Sequence, residues 1–533
     1  MYQSAHRDSF TRDNLPDRSL WPELRFDLPA LEYPERLNAA EILLQGGKPD
    51  RPAVIWEGGQ WSYRELTNTV NRIAHVLTDE MHLVPGGRVL LRGRNTAMMI
   101  ACWYAVLKAG GVAVATMPLL RAPELAQICD KAKISLALTE DTLAAELATA
   151  AQLNDHPLTT MTFGNTGADL ETHMRGKGTE FDAVPTAQDD VALLAFTSGT
   201  TGEPKACMHF HRDILVMADT YAAHILAPDE ADVFCGSPPI AFTFGLGALV
   251  VFPARFGAAV ALPAAPTPDA LLDTVGHAGV TLLFTAPTAY RALLATLKGH
   301  DISSLRRCIS AGESLPEATW QEWYDRTGLK LLDGIGATEM IHIFIAAREE
   351  DIRPGATGKP VPGYTACVLD ENGQALAPPA TGRLAVKGPT GCRYMADARQ
   401  TAYVQRGWNI TGDTYHQSED GYFTFVARSD DMIISSGYNI GGPEVEAALL
   451  AHEAVAECAV IGAPDKARGQ IVKAFVVLTP EAKGDDALKE ALKHHVKQTI
   501  APYKYPRAIE FIPALPKTQT GKIQRFKLKK APC

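Results

Sequence analysis

The 533-residue sequence lacks an excess of basic charge, a pattern of paired cysteines and a long uninterrupted apolar run. A net charge of −10 argues against the phosphate backbone of a nucleic acid as a main partner. The nine cysteines form no C-x-x-C pair, so neither a zinc cluster nor a disulfide framework is predicted, and reduced thiols are expected. His209 and His211 form an H-x-H pair, which alone is a weak metal signal.

Membrane insertion and secretion are not predicted either. The most apolar stretch, Met98–Met117, is interrupted by Lys108, Gly110 and Gly111, too early for a membrane-spanning helix. The polar N-terminus, MYQSAHRDSFTRDNLPDRSL, has no apolar core of the kind found in signal peptides. The sequence therefore predicts a cytoplasmic protein that does not insert into a membrane.

The order of apolar patterns predicts an α/β fold. Arg88–Leu91, Ala97–Leu107 and Val112–Thr116 have the patterns of a strand, a helix and a strand. The alternation returns over residues 271–297, and strands that alternate with helices indicate layers built on mainly parallel sheets. After about residue 350, short strand patterns between Gly and Pro turns predict an antiparallel, barrel-like β subdomain.

A polar break at residues 428–431 marks the predicted domain boundary. The segments that follow predict a small α+β unit of two helices and two strands: Pro443–Ala451, Glu457–Ile461, Val472–Leu478 and Asp486–Gln498. Because one hydrophobic core does not extend over a chain of this length, we expect a large domain over residues 1–429 and a small one over residues 430–533.

The loop T-S-G-T-T-G-E-P-K, from Thr197 to Lys205, has the composition of a phosphate-binding loop. Small residues let backbone N–H groups approach an anion, hydroxyl groups add donors, and one lysine adds positive charge. It is not the Walker pattern, whose glycine spacing differs. A plain Ser/Thr-rich surface turn has the same composition, so this loop alone leaves both interpretations open.

Three further segments favour a nucleotide site. In D-G-I-G-A-T-E, Glu339 follows a glycine turn, and a carboxylate next to a triphosphate indicates a bridging Mg²⁺. In T-G-D, Asp413 lies in a turn and suits ribose hydroxyls. In P-K-T-Q-T-G-K-I-Q-R, Lys522 is placed to deliver a point charge to phosphate or carboxylate, although the basic run 522–530 on composition alone is typical of a solvated terminus.

These four segments, in this order, resemble the adenylate-forming superfamily of acyl-CoA synthetases, peptide-synthetase adenylation domains and luciferases. The resemblance covers nearly the whole chain. Within the superfamily, SPPIAFTFGLG, DGIGATEMIHIF, ARSDDMIISSGYNIGGPEVE and APYKYPRAIEF look most like benzoate- and 2-aminobenzoate–CoA ligases, with medium-chain acyl-CoA synthetases next. The resemblance implies an ATP-dependent ligase of aromatic acid degradation that uses Mg²⁺ and coenzyme A, forms an acyl-adenylate and then a thioester, and has a mobile C-terminal domain.

The resemblance also implies a role for each matching residue. The ATP- and AMP-binding residues would be Thr197, Ser198, Gly199, Thr200, Thr201, Gly202, Lys205, Ala311, Gly312, Glu313, Asp333, Gly334, Ile335, Gly336, Thr338, Asp413, Arg428 and Lys522. Lys522, Thr338 and Glu339 would be catalytic, with Glu339 the Mg²⁺ ligand. The acyl group would lie among Thr243, Phe244, Ala311, Gly334, Ile335, His342 and Ile343. Coenzyme A would meet Ser436, Gly437, Tyr438 and Arg468, and Asp430 would be the hinge.

The sequence departs from the common pattern of the superfamily at three positions. Ile335 stands where many relatives have a tyrosine stacked on adenine, Ala427 replaces the usual glycine before the hinge arginine, and Ile434 replaces a frequent lysine. Neither of the last two changes touches the acyl-transfer chemistry. A carrier-protein-loading enzyme, a luciferase-like oxygenase and a medium-chain synthetase remain alternatives, and a homodimer is one arrangement open to the chain.

Overall fold

The computed structural model describes residues 2–164, 168–198, 204–429, 431–435, 438–465, 468–517 and 523–530. Its strands, numbered along the chain, are β1 (Pro52–Trp56), β2 (Gly59–Ser62), β3 (Arg88–Arg92), β4 (Val112–Thr116), β5 (Leu136–Glu140), β6 (Thr159–Phe163), β7 (Val191–Ser198), β8 (Pro204–Phe210), β9 (Val233–Gly236), β10 (Ala259–Leu262), β11 (Leu282–Thr285), β12 (Arg307–Ala311), β13 (Leu331–Gly336), β14 (Ile343–Ala346), β15 (Lys359–Pro360), β16 (Thr365–Leu369), β17 (Ala380–Lys387), β18 (Val404–Gln405), β19 (Trp408–Gln417), β20 (Phe423–Arg428), β21 (Ile433–Ser435), β22 (Tyr438–Ile440), β23 (Val455–Asp465), β24 (Gly469–Leu478) and β25 (Ala508–Phe511).

The α-helices are α1 (Phe10–Asp13), α2 (Ala39–Leu44), α3 (Tyr63–His75), α4 (Ala97–Lys108), α5 (Ala122–Ala132), α6 (Ala144–Leu153), α7 (Asp169–His173), α8 (His211–Met217), α9 (Thr243–Leu246), α10 (Phe252–Arg255), α11 (Pro268–Ala278), α12 (Pro287–Thr296), α13 (Glu317–Thr327), α14 (Gln400–Tyr403), α15 (Gly442–Leu450), α16 (Asp486–Thr499) and α17 (Arg525–Lys530). π-Helical turns over Val76–Glu80, Ala218–Leu226 and Gly247–Val251 extend α3, α8 and α9. Short 3-10 turns cover Arg18–Leu20, Pro29–Leu31, Asp141–Leu143, Thr338–Met340, Glu349–Asp351 and Pro502–Lys504.

Two large sheets form the first part of the chain, and their layered α/β arrangement confirms the predicted fold class. One has the order β6-β5-β3-β4-β7-β8, with every pair parallel except β7–β8. The other has the order β15-β14-β13-β12-β11-β9-β10-β1-β2 and is parallel from β13 to β1. One continuous cluster of buried side chains joins both sheets to α4, in which every residue except Met98 is buried.

The remaining described strands form two smaller sheets. In the first, β16, β17, β18, β19 and β20 pair only antiparallel, as the Gly- and Pro-rich sequence predicts, with the long strand β19 pairing β17, β18 and β20. In the second, the order is β22-β21-β24-β23 with β25 beside β24, and helices α15 and α16 pack on it. This is the predicted small α+β unit.

Local sequence signals explain where several elements begin and end. Ser62 accepts a hydrogen bond from the backbone N–H of Glu65 at 3.2 Å, while the Glu65 carboxylate accepts the N–H of Ser62 at 2.7 Å, which caps α3. Thr96 caps α4 through the N–H of Met99 at 3.1 Å. Gly110, at φ +75°, provides the left-handed turn that leads from α4 into β4.

The structure adds elements that the sequence patterns did not indicate. The hairpin β21–β22 and the strand β25 are three to four residues long, too short to produce a periodic signal. Helix α17 covers part of the basic run that was expected to be a solvated terminus. Its Leu528 is 7% exposed and packs with Ala459 and Phe475, so this part of the run is not fully solvated.

Candidate active site

A cavity of about 2040 Å³ lies where the carboxyl ends of strands from both large sheets converge. Its walls are formed by residues at or just after the ends of β4, β7, β9, β10, β12 and β13. The crevice beyond the carboxyl ends of parallel strands is the usual ligand site of α/β sheets. The candidate residues along its wall are Thr197, Thr243, Phe244, Ala311, Gly312, Glu313, Gly336, Thr338, His342 and Ile343.

The candidate phosphate loop connects β7 to β8. Thr197 is paired with Lys205 across these antiparallel strands. Pro204 is held from outside the hairpin because Lys131 donates to its carbonyl at 2.8 Å. Gly199, Thr200, Thr201 and Gly202, together with the side chain of Ser198, lie outside the described residues.

Thr338 and Glu339 lie in a tight 3-10 turn that directly follows β13. Ile341, two residues after Glu339, has φ +66°. A positive φ is costly for a β-branched side chain, and such strained residues cluster at functional sites. Two hydrogen bonds hold the turn in place: the Nε2–H of His209 donates to the Thr338 carbonyl at 2.7 Å, and Thr390 donates to that of Met340 at 2.9 Å.

The carboxyl group of Glu339 is 8% exposed and is held by the hydroxyl of Tyr394, which donates to its Oε1. Burial raises the pKa of Glu339, and Cys207 adds to the effect, so a cation next to this carboxylate would stabilise its charged form. No cluster of three or more His, Cys, Asp or Glu suited to a metal occurs in the described ranges. A buried carboxylate that shares the Tyr394 hydroxyl with Lys205 fits Mg²⁺, which keeps most of its ligands as water and phosphate.

Asp413 and Arg428, the two candidate ribose residues, are neighbours on β19 and β20. Arg428 Nη1 donates to Asp413 Oδ1 at 3.0 Å. Gly412 and Asp413 lie inside strand β19 rather than in the turn that the sequence predicted, and Gly412 has φ +79°, a conformation that favours glycine. The structure thus brings Asp413 and Arg428 together, although neither is among the residues lining the cavity.

Asp333, a candidate adenine residue, lies on β13 opposite Ser310 of β12. It is partly buried, and loss of solvent raises its pKa to about 8. Its Oδ1 has no hydrogen-bond partner among the described residues. Ile335, two residues on, is half-buried and packs against the main core, whereas Gly336 lines the cavity.

The acyl-side candidates form an apolar wall around one imidazole. The His342 ring lies 4.7 Å from Phe252 and 5.8 Å from Phe244, measured between ring centroids, and 5.3 Å from Tyr221. The backbone of Phe244 lies beside the ring, but neither imidazole nitrogen makes a hydrogen bond of good geometry within the part of the chain that is described. Burial lowers the pKa of His342 to about 3, an effect that the Phe244 backbone only partly opposes, so the ring is neutral.

Glycines allow this wall to pack closely. A Cβ atom at Gly247 would lie 2.6 Å from the His342 ring, and one at Gly334 would lie 2.9 Å from Ile343 Cγ2. Real Cβ atoms do not approach so closely, so both positions must be glycine for His342 and Ile343 to sit where they do. Phe244, which is only partly buried, lines the cavity and also packs on the core.

The candidate residues of the C-terminal domain are only partly described. Tyr438 begins β22 and pairs with Ser435, and Arg468 is exposed. Lys504 binds Glu444 at 2.5 Å and 2.6 Å. Ser436, Gly437, the hinge candidate Asp430 and Lys522 lie outside the described residues.

The two parts of the chain contact each other next to the cavity. Lys517 and Ile523 form an antiparallel bridge, and Gln524, which follows it, lines the cavity. Arg291 on α12 donates to the backbone carbonyl of Ala456. In this arrangement Gln524 of the C-terminal segment forms part of the cavity wall.

Sequence reasoning missed Tyr394 and His209 as parts of the site. Tyr394 is in no recognised motif, and H-x-H was considered only as a weak metal signal. His211 faces elsewhere: its Nδ1 accepts the N–H of Ala39 at 3.1 Å, and burial lowers its pKa to about 3. The available signal was that His209 lies on an apolar strand, β8, but a strand pattern does not show which residue the side chain will contact.

Among the described residues, no helix is long and apolar enough to cross a membrane. The fold and the cavity define a two-part α/β enzyme with a nucleotide-type site at the ends of its parallel strands. Comparison with known proteins agrees: the model of the AMP-binding enzyme family matches residues 45–394, and that of the AMP-binding enzyme C-terminal domain matches residues 444–522.

Individual relatives match along almost the full chain. The benzoate–CoA ligase of Thauera aromatica is 37% identical over 516 residues, covering 94% of this chain and 98% of that protein. The mitochondrial acyl-coenzyme A synthetase ACSM3 of Mus musculus is 34% identical over 529 residues, covering 94% of this chain and 91% of that protein. The crystal structure of the anthranilate CoA ligase AuaEII in complex with anthranoyl-AMP superposes on this structure with a TM-score of 0.90. The two chains are 33% identical, and the match covers 95% of this chain and 99% of that one.

The chain belongs to the family of AMP-binding enzymes and is an acid–CoA ligase of that family, which implies ATP and coenzyme A as its co-substrates.

Proposed function

We propose that the protein activates a small aromatic acid, benzoate or 2-aminobenzoate, as an acyl-adenylate and transfers the acyl group to coenzyme A. The observation that carries this proposal is the wall formed by Phe244, His342 and Ile343 on one side of the cavity. Apolar side chains held close by Gly247 and Gly334 suit a flat ring better than a long flexible chain.

The neutral imidazole of His342 supports an acid with a polar ring substituent. A buried polar group without a partner costs about 1–3 kcal/mol, which a bound ligand can recover by supplying that partner. One imidazole nitrogen accepts and the other donates, so the amino group of 2-aminobenzoate, or a water molecule beside benzoate, would pair with His342. The relatives support the same class, since they include a benzoate–CoA ligase and an anthranilate CoA ligase.

In the adenylation step, one carboxylate oxygen of the acid attacks the α-phosphorus of ATP, and pyrophosphate leaves. The loop from Thr197 to Gly202 and Lys205 would hold the β- and γ-phosphates. Thr338 would meet the carboxylate or the α-phosphate, and Lys522 would bridge the two where negative charge accumulates. Glu339 would hold Mg²⁺, which when bound neutralises phosphate charge.

Two groups of residues would hold the nucleoside part of ATP, one at the ribose and one at the adenine. Asp413 and Arg428 are already oriented by their mutual hydrogen bond and would contact the ribose. The backbone of Ala311-Gly312-Glu313 and the segment from Asp333 to Gly336 would flank adenine. Ile335 would pack there as an aliphatic surface.

In the second step, the thiol sulfur of coenzyme A attacks the acyl carbonyl carbon, AMP leaves with the bonding electron pair, and the thiol proton is lost to solvent. Rotation of a domain over residues 430–533 against residues 1–429, about Asp430, would bring Ser436-Gly437-Tyr438 to the cavity and Arg468 to the nucleotide of coenzyme A. Gln524 at the cavity and the Arg291–Ala456 contact fit the arrangement used for adenylation.

A medium-chain acid is the second candidate. It is favoured by the similarity to ACSM3 and by a cavity that extends well beyond the volume of one ring. Pyrophosphate release with benzoate, 2-aminobenzoate, hexanoate, acetate and palmitate distinguishes the two candidates. We expect both benzoates to be good substrates, with acetate too small for the slot and palmitate too long.

The variant Phe244→Ala sharpens this test. If Phe244 contacts the ring, the Michaelis constant should rise more for benzoate than for hexanoate. Because an apolar pocket discriminates by only about 1–3 kcal/mol per group, several benzoates should be accepted. A wild-type preference for hexanoate over every benzoate would refute the aromatic proposal and favour the medium-chain one.

A further inference from the structure

We propose that Tyr394 is a positioning residue for the adenylation step, and that its hydroxyl keeps Lys205 and Glu339 apart and correctly aimed. The proposal rests on the roles proposed above for Lys205 at the phosphates and Glu339 at Mg²⁺. Neither the sequence motifs nor the resemblance assigned any role to Tyr394.

The hydroxyl of Tyr394 makes two hydrogen bonds of opposite direction. It accepts from Lys205 Nζ at 3.1 Å and donates to Glu339 Oε1. The ammonium group of Lys205 also lies 4.9 Å from the centroid of the Tyr394 ring, in reach of a cation–π interaction. One phenol therefore contacts both charged groups.

The position of the Tyr394 ring is fixed by the backbone. Tyr394 forms an antiparallel bridge with Cys207, so its segment runs beside β8, the strand that begins at the end of the phosphate loop. The Met395 N–H donates to the Ala206 carbonyl at 2.9 Å. The Tyr394 N–H donates to Gln400 Oε1 at 2.9 Å, and Tyr394 itself is 1% exposed.

The bridging hydroxyl prevents a direct ion pair. Lys205 and Glu339 approach the same oxygen, yet no Lys205–Glu339 ion pair within 4.0 Å occurs in the described ranges. Without the hydroxyl, the two opposite charges would be free to pair with each other in this low-dielectric site. Lys205 would then be drawn from the phosphates, and Glu339 would be drawn from the cation.

The experiment compares Tyr394→Phe with a matched control, Tyr403→Phe. The Tyr403 ring lies 5.8 Å from that of Tyr394, and its buried hydroxyl has no hydrogen-bond partner among the described residues. Each variant loses one buried hydroxyl from the same cluster. Calorimetry then measures binding of α,β-methylene-ATP, which cannot be cleaved at that bond, as a function of Mg²⁺ concentration.

We expect Tyr394→Phe to need about 10–100-fold more Mg²⁺ for half-maximal binding, the usual loss when a partner that orients a metal ligand is removed. Tyr403→Phe should match the wild type. Conversion of supplied benzoyl-AMP and coenzyme A to the thioester should persist in Tyr394→Phe, which shows that the variant is folded. An unchanged Mg²⁺ midpoint in Tyr394→Phe would overturn the proposal.

A double-mutant cycle separates positioning from a general structural effect. If Tyr394 acts through Glu339, adding Tyr394→Phe to Glu339→Gln should produce no further shift of the Mg²⁺ midpoint. Additive shifts would contradict the proposal. The Mg²⁺-binding measurement contains no acid. A failure of the aromatic-acid proposal would therefore appear in the substrate panel and in the benzoyl-AMP control of the wild type, but not in the Mg²⁺ midpoint, so it is distinguishable from a failure here.

Discussion

Replacing His342 with leucine should stabilise the protein without ligand and weaken its recognition of substituted benzoates. The imidazole is 4% exposed, both of its nitrogens lack a hydrogen-bond partner in the described structure, and its neighbours are aromatic rings. An apolar side chain of similar size removes the cost of two unpaired polar atoms, which is about 1–3 kcal/mol. The gain should therefore be measurable at neutral pH.

The same substitution should have a pH-dependent effect of known sign. The imidazole has a pKa of about 3 in the folded protein and a reference value of 6.5. Above pH 6.5 both states are neutral, but as the pH falls from 6.5 towards 3 only the unfolded chain takes up the proton, so the wild type loses stability. At pH 5 the loss attributable to His342 is about 2 kcal/mol, and His342→Leu removes it.

The assay is the melting temperature of wild type and His342→Leu between pH 5 and pH 8, with His494→Leu as a control at an exposed histidine. We expect the advantage of His342→Leu to grow as the pH falls and that of the control to stay constant. The ratio of kcat/KM for 2-aminobenzoate to that for benzoate should fall in the variant. A melting-temperature difference that is the same at pH 5 and pH 8 would show that His342 is not held neutral by burial.

Three further predictions concern the two half-reactions and the adenine side. Lys522→Ala should reduce acyl-AMP formation by about two to three powers of ten or more, as expected for a loss of about 3–4 kcal/mol or more of transition-state stabilisation. Supplied acyl-AMP should still be converted to the thioester, and equal damage to both half-reactions would contradict the role. Asp430→Pro, by fixing φ at the hinge, should preserve adenylation and strongly reduce thioester formation, and normal rates for both would exclude Asp430 as the pivot. Asp333→Asn should raise the melting temperature relative to the wild type, and by more at pH 8 than at pH 5. The reason is that the Asp333 carboxyl keeps its proton up to about pH 8 in the folded protein but releases it near pH 4 in the unfolded chain. A difference that does not depend on pH would argue against a neutral Asp333 carboxyl.

The elements with strong local patterns could be predicted from the sequence, because the residues that become buried in them follow one another along the chain with strand or helix periodicity. The strand–helix–strand unit from Arg88 to Thr116 is the clearest case, since β3 and β4 are buried on both faces and α4 ends at a glycine turn. The segments that carry the phosphate and metal candidates could also be recognised by their composition, whereas the ribose candidates Asp413 and Arg428 lie on β19 and β20 and came from the resemblance.

Contacts between distant parts of the chain could not be predicted in this way. Lys205 and Tyr394 are 189 positions apart, and His209 and Thr338 are 129 positions apart. Their partnership depends on which strands become neighbours, and no local pattern encodes it. The acyl-side candidates came only from the resemblance, since an apolar residue such as Phe244 has the same local signal in a core as in a pocket.

A competition experiment decides whether the protein activates aromatic acids in preference to a medium-chain acid. The enzyme is given ATP, Mg²⁺, coenzyme A and equal concentrations of benzoate, 2-aminobenzoate and octanoate, and the acyl-CoA products are quantified by mass spectrometry at low conversion. We expect benzoyl-CoA and 2-aminobenzoyl-CoA to dominate, with one AMP released per thioester. Octanoyl-CoA as the main product, or acid-dependent pyrophosphate release without any thioester, would contradict it.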